Sequence, residues 1–300
     1  MNEQTIIVNS AKAWMLAARP KTLTGAAVPV MIALALAWRD GGGEAFAAVP
    51  AVLCVLFAFI MQIDANFIND YFDNLRGNDD KTRLGPRRAC AQGWITVGAM
   101  RRAILLTTAV ACLAGLPLVL YGGWEMVAVG ALCVLFCFLY TTVMSYLGLG
   151  DVLVMVFFGI VPVCLTYYLQ TSCVTLEVLL ASVACGFVID TLLIVNNYRD
   201  IENDKRAGKK TLIVRIGATA GRRAYFISGL LAVLIGVVFV LKGNIFAFIL
   251  PLAYLVLHYF TYLKMVRINR GKALNMVLGD TARNMFVYGL LVSAGVLIGC

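Results

Sequence analysis

Asn66-Phe67-Ile68-Asn69-Asp70-Tyr71-Phe72-Asp73 closes one long apolar run, and Asn196-Asn197-Tyr198-Arg199-Asp200-Ile201-Glu202-Asn203-Asp204 closes another. In each, an Asn is followed four residues later by an Asp, and a second Asp comes three or four residues after that. On a helix, positions 66, 70 and 73 fall on one side, as do 196, 200 and 204. Each helix end then aims one amide and two carboxylates in one direction. Carboxylates grouped beside hydrocarbon repel one another and resist losing water. A divalent cation answers both problems, so the paired pattern points to a metal site at a membrane edge.

The rest of the chain supplies the membrane. Of its 300 residues 61% are hydrophobic and 14% charged, with a mean hydropathy of +0.87. A water-soluble chain of this length has too little interior to hide that much apolar surface. Nine nearly charge-free runs are long enough to cross a ~30 Å hydrocarbon core. They lie near 22–38, 47–68, 103–121, 126–145, 152–172, 175–197, 224–241, 244–263 and 282–299. The expected fold is therefore all-α, a single integral membrane bundle of nine transmembrane helices over 1–300. No small-residue cleavage site follows the first run, which reads as a span and not a signal peptide.

Basic residues set the orientation. With the N-terminus in the cytoplasm, the inner segments hold 23 of the 25 Lys and Arg, and only Arg39 and Lys242 fall outside. Both acidic motifs then lie on the cytoplasmic side, at the ends of the second and sixth spans. Their positions hint at an internal repeat of about four helices. Polar loops near 74–101 and 201–221 are expected to cap a cavity there. The net charge of +9 fits this topology and attraction to lipid headgroups. Nucleic acid is an improbable partner, since no soluble basic domain exists to hold it, and nothing indicates an obligate protein partner. The nine Cys are scattered without Cys-x-x-Cys spacing, so they read as packed apolar residues. His258, alone in the eighth span, reads as packed and hydrogen-bonded. Asp64 and Asp190 lie within apolar spans, where acids often carry function.

Mg²⁺ suits the motifs because it prefers oxygen ligands and takes few carboxylates, with phosphate oxygens and waters completing its shell. Two facing acidic clusters could hold a diphosphate between them. Lys81, Arg83, Arg87, Arg88, Lys209 and Lys210 would supply further positive charge to its oxygens.

These stretches, continued through Gly77 and Asp79, resemble the Asp-rich motifs of the UbiA superfamily of intramembrane aromatic prenyltransferases. Arg83-Leu84-Gly85-Pro86-Arg87-Arg88 with Gly93, and Gly208-Lys209-x-Thr211 with Arg215 and Gly217, are similar to its 1,4-dihydroxy-2-naphthoate branch. So are Arg19-Pro20-Lys21-Thr22-Leu23, Pro29, Leu274-Asn275 and Thr281-Ala282. Gly148-Leu149-Gly150 is followed by Asp151 where that branch usually has Glu, a shorter acid of equal charge. The resemblance covers nearly the whole chain. It implies transfer of a polyprenyl group from polyprenyl diphosphate to 1,4-dihydroxy-2-naphthoate, with loss of diphosphate and CO₂, giving demethylmenaquinone. It implies Mg²⁺ held by Asp70, Asp73, Asp200 and Asp204, with Asp70 and Asp200 catalytic. Asn66, Asn69, Asn196, Arg83, Arg88 and Lys209 would bind the diphosphate end of the substrate. Arg19 or Lys21 would meet the acceptor's carboxylate. Tyr71, Tyr140 and Tyr198 are the candidates for steadying a developing allylic cation, Tyr140 foremost. The expected location is a bacterial inner membrane.

The nearest alternative is the same chemistry on another aromatic acceptor, such as 4-hydroxybenzoate. A CDP-alcohol phosphotransferase would need an Asp-Gly-x-x-Ala-Arg signature, which the chain lacks. A cation-coupled transporter would place its ionisable groups at broken helices near mid-membrane. These motifs instead close their spans.

Overall fold

The computed structural model describes residues 6–43, 45–78 and 83–299; Asp79, Lys81 and Cys300 lie outside them. Among the described residues, nine helices are long and apolar enough to cross a membrane. They are α1 (Ala11–Gly41), α2 (Ala48–Leu75), α3 (Val97–Gly122), α4 (Glu125–Leu147), α5 (Gly150–Thr171), α6 (Leu176–Arg199), α7 (Leu212–Leu241), α8 (Phe246–Ile268) and α9 (Leu274–Ile298). The chain is thus a multi-pass integral membrane protein. Polar side chains start several of these helices by accepting the first free backbone N–H groups. Ser10 takes that of Ala13, Thr96 that of Ala99, Thr175 that of Val178 and Thr211 that of Val214.

Several helices outrun the apolar runs that mark them. Helix α7 begins at Leu212, not near 224, because Arg215, Arg222 and Arg223 interrupt hydropathy without interrupting the helix. The stretch expected as a cap loop over 201–221 is therefore mostly helical. It holds a short helix, Ile201–Arg206, and the first turns of α7, broken at Gly217. Helix α1 carries its own break. Arg19 sits at φ 51 and Pro20 follows it. Proline has no N–H and disfavours helical geometry before it, so the helical ladder stops there.

The main core joins α1 and α5 to α9 around Leu36, Val163, Val188, Phe239, Tyr254 and Met285. Helices α5 and α6 touch at Gly159, where an added Cβ would stand 2.7 Å from both the Gly186 Cα and the Ser182 carbonyl. Small residues at such a crossing let two membrane helices approach closely. By contrast α3 and α4 are lightly packed, with little of their apolar length buried inside the bundle. All eight described cysteines are free. His258 is buried, bonded to the Tyr225 carbonyl and the Tyr254 hydroxyl, as a packed histidine should be.

The end of the bundle opposite the acidic motifs is tied by an ion pair. Arg39 donates from Nη1 and Nη2 to both oxygens of Glu177, at 2.7 and 3.0 Å, and from Nε to Asp40 at 2.7 Å. Tyr167 donates to the other Asp40 oxygen at 2.7 Å. Arg39, an exception to the basic-residue asymmetry, is thus explained by a buried partner.

Candidate active site

A cavity of about 1030 Å³ opens among α1–α6 at the end rich in basic residues. Its polar wall holds Asn69 and Asp73 from α2, Asn196 from α6 and Asp200 just past its end, Asp204 from the short helix, and Lys209. Arg83 and Arg88, from the segment joining α2 to α3, face the same space.

The first motif divides along a line that sequence spacing alone does not draw. Residues turn by about 100° each on a helix, which sets Asp70 about 60° from Asp73, with Asn69 on Asp73's far side. Asn69 and Asp73 line the cavity. Asp70 is fully buried behind it and accepts the N–H groups of Ala89 and Cys90 at 2.8 and 2.9 Å. Arg19 stands 3.8 Å from it. Both its oxygens fasten the α2–α3 segment. Asn66 touches the cavity, but its amide donates to the Ala18 carbonyl at 2.9 Å and to Thr22 Oγ1 at 2.8 Å. That carbonyl is the one exposed by the break at Arg19-Pro20, so Asn66 seals the broken helix.

Asp73 is held from the side. Asn78 donates to its Oδ1 at 3.2 Å, and Arg88 Nη2 lies 3.4 Å from its Oδ2. Asn78 also donates to the Tyr146 hydroxyl at 2.7 Å, and Thr141 donates to Asn69 Oδ1 at 2.6 Å. Arg76 and Lys209 stack over the Tyr146 ring, at 4.8 and 5.5 Å. Asn78, Thr141 and Tyr146 escape sequence reading. Only Asn78 carries a signal, its nearness to the first motif; the other two look like ordinary polar residues at a helix end.

In the second motif Arg199 grips Asp200 with both ends of its guanidinium, Nε to Oδ1 at 2.9 Å and Nη2 to Oδ2 at 2.5 Å. Nη2 also reaches Asn196 Oδ1 at 2.6 Å. Asp204 lies 3.9 Å from Lys209 Nζ. Its carboxyl is pushed up to about 6, chiefly because burial disfavours the charge. Lys209 opposes that shift, Asp200 and Asp73 add to it, and Arg199 opposes it again. The mutual influence of Asp73, Asp200 and Asp204 is what facing acids produce.

Of the three tyrosines, only Tyr140 lines the cavity. Tyr198 is buried and donates to Asn269 Oδ1 at 3.1 Å, and Tyr71 packs edge-on against Phe72. Neither is placed to face a substrate there. Arg19 reaches the cavity, whereas Lys21, Arg87 and Lys210 are exposed. Asp64 is bonded by the hydroxyls of Thr107 and Thr108, a lock between α2 and α3. Asp151 and Asp190 each keep one buried oxygen without a hydrogen-bond partner.

Below the polar wall the cavity is apolar and ends against Val30, Cys54, Leu118 and Leu169. Six consecutive residues, 133–138 of α4, line it. Side chains on a helix point all round it. The space therefore passes along more than one side of α4 and reaches the bundle's outer face.

The UbiA prenyltransferase family profile matches residues 26–290. A 1,4-dihydroxy-2-naphthoate octaprenyltransferase of Escherichia coli is 37% identical over 74% of this chain and 74% of its own. That of Haemophilus influenzae is 32% identical over the full length of both. Among solved structures, a UbiA homolog from Archaeoglobus fulgidus bound to GPP and Mg²⁺ superposes with a TM-score of 0.67 at 13% identity, covering 94% of this chain and 99% of that one.

Proposed function

The chain belongs to the UbiA prenyltransferase family, and from that premise we propose that it joins a polyprenyl group to 1,4-dihydroxy-2-naphthoate. The C1–O bond of the polyprenyl diphosphate breaks and diphosphate leaves with the electron pair. The ring carbon bearing the carboxylate bonds to C1. Loss of CO₂ returns an electron pair to the ring, leaving demethylmenaquinone in its quinol form. The observation that carries this reading is one cavity with facing acids and a basic rim at one end and a membrane-facing apolar channel at the other. Relatives so named cover most or all of the chain. Both come from bacteria, and we place the protein in a bacterial inner membrane with its acidic end in the cytoplasm.

The polar wall fits Mg²⁺. Asn69, Asp73, Asn196, Asp200 and Asp204 can each ligate through oxygen, the donor a hard cation selects. Among the described residues, no three Asp, Glu, His or Cys side chains are grouped to hold a metal by themselves. That suits a cation whose shell is completed by substrate phosphate and water. When bound, Mg²⁺ would act as a Lewis acid, offsetting charge on the departing diphosphate. Arg83, Arg88 and Lys209 bind the same oxygens from the rim. Tyr140 presents its ring toward C1, and the apolar channel keeps water from an electron-poor carbon. Arg19 takes the acceptor's carboxylate. Asn66 and Asp70 hold the frame in which these groups work.

Two outcomes follow. With a polyprenyl diphosphate and a choice of acceptors, mass spectrometry should find the prenylated, decarboxylated naphthoate product. A product formed only from 4-hydroxybenzoate would overturn the acceptor assignment. The second concerns pH. Cation binding needs Asp204 ionised, so a proton competes with Mg²⁺ below the raised value of about 6. The Mg²⁺ concentration giving half-maximal rate should be steady above pH 7 and rise by up to about tenfold per unit below 6. A flat profile from pH 7.5 to 5 would remove Asp204 from the cation site.

A further inference from the structure

Arg83 and Arg88 lie on a segment with little secondary structure of its own, yet they must meet the same diphosphate as Asp200 at the end of α6. One line of contacts spans the two. Asn275, in the first turn of α9, accepts from Arg199 Nη1 at 2.8 Å through Oδ1 and donates from Nδ2 to the Leu84 carbonyl at 2.8 Å. The other two nitrogens of the same guanidinium hold Asp200. Gly85 lies flat against this pair: a Cβ there would stand 2.8 Å from Arg199 Nη2. Arg83 closes the turn by donating from Nε to the Pro86 carbonyl at 3.0 Å. The Arg199 side chain is 1% exposed, so it is fixed and not a mobile surface cation.

We infer that Asn275 is a positioning residue for the diphosphate end of the donor. It acts by fastening the Leu84–Pro86 turn, through Arg199, to Asp200. An amide suits the task because it accepts from the guanidinium with one atom and donates to the backbone with the other. The turn that carries Arg83 thereby keeps a fixed height above the second acidic motif. The contact also passes information: a ligand that stiffens Asp200 stiffens the turn, although Asn275 does not line the cavity. Nothing in Leu274-Asn275 alone shows this, because the partners lie 76 and 191 residues away.

This rests on the diphosphate reading above, and the test separates the two. Hydrogen exchange of amides 83–90 is measured in detergent with Mg²⁺ and inorganic diphosphate, beside steady-state kinetics. Wild-type protein should show slowed exchange on adding both. Its failure to respond would count against the diphosphate reading itself. In Asn275→Ala the protection should be largely lost. The KM for polyprenyl diphosphate should rise about five- to tenfold, as expected for losing one or two hydrogen bonds, with kcat within about threefold. Asn275→Asp keeps the acceptor for Arg199 but loses the donor to Leu84, and should show the same loss of protection. Unchanged exchange and unchanged KM in both variants, with wild type responding, would overturn the inference. A fall in kcat alone, with protection intact, would overturn it equally.

Discussion

Asp73→Ala is expected to lower prenyl transfer by about 10³-fold, the scale of losing one preorganised charge-stabilising group in a dry site. The protein should stay folded, because Asp73 lines the cavity and leaves behind only Asn78 and Arg88, which water can reach through that space. Asp70→Asn should behave differently. Its carboxylate accepts two backbone N–H groups from Ala89 and Cys90, and an amide can accept only where its oxygen points. One N–H would be left without a partner, at a cost of about 1–3 kcal/mol. The expected result is a lower melting temperature and a higher KM for polyprenyl diphosphate, with kcat falling far less than in Asp73→Ala. Asp200→Ala should lose activity on the scale of Asp73→Ala, since it too borders the cavity, but should also melt lower because it strands the buried Arg199. Steady-state rates and thermal melts of the three purified variants check the ordering. An inactive, fully stable Asp70→Asn beside an active Asp73→Ala would place Asp70, and not Asp73, on the metal.

Glu177→Ala is expected to cost about 3 kcal/mol of stability, the lower end for breaking a buried ion pair. The Glu177 side chain is 6% exposed and that of Arg39 is 15%, so water compensates little. The lower end applies because Asp40 still accepts from Arg39 Nε. Glu177 also sits in the first turn of α6, where a negative charge favours the helix. The damage lies far from the cavity's polar wall, so the KM values of the surviving folded enzyme should change little. A double variant, Arg39→Met with Glu177→Leu, should recover most of the loss, since an apolar pair removes the stranded charge. Denaturation in detergent micelles measures each. A double variant no better than Glu177→Ala would mean the pair's geometry, and not its unpaired charge, is what α6 requires.

Much of this architecture is disclosed by the residues alone. The nine helices are legible because hydropathy over about 20 residues is a strong one-dimensional signal. Where basic residues ride on a helix beyond the hydrocarbon, as at Arg215 to Arg223 on α7, that signal stops early. The candidate site is legible as a neighbourhood but not as a register. Residues 66, 69, 70 and 73 span only about 100° of arc, and a pattern at helical spacing cannot say which edge of that arc meets the cavity. Contacts distant in sequence decide it: Ala18 for Asn66, and Ala89 and Cys90 for Asp70. The role of Arg199 is hidden for the same reason. Beside Asp200 it reads as one more interfacial cation, until Asn275 shows where its third nitrogen goes.

The open flank along residues 133–138 of α4 bears on how such an enzyme is measured. A donor whose tail lies in the bilayer arrives by diffusion in two dimensions, and its prenylated product returns the same way. Diphosphate departs to bulk water at the other end. The relevant concentration of the donor is then its mole fraction among the surrounding lipids or detergent, not its molarity in the tube. Adding micelles at constant substrate dilutes the surface and slows the reaction, while the response to Mg²⁺ in the water is unchanged. Rates reported without the detergent-to-substrate ratio would mix chemistry with crowding at the interface.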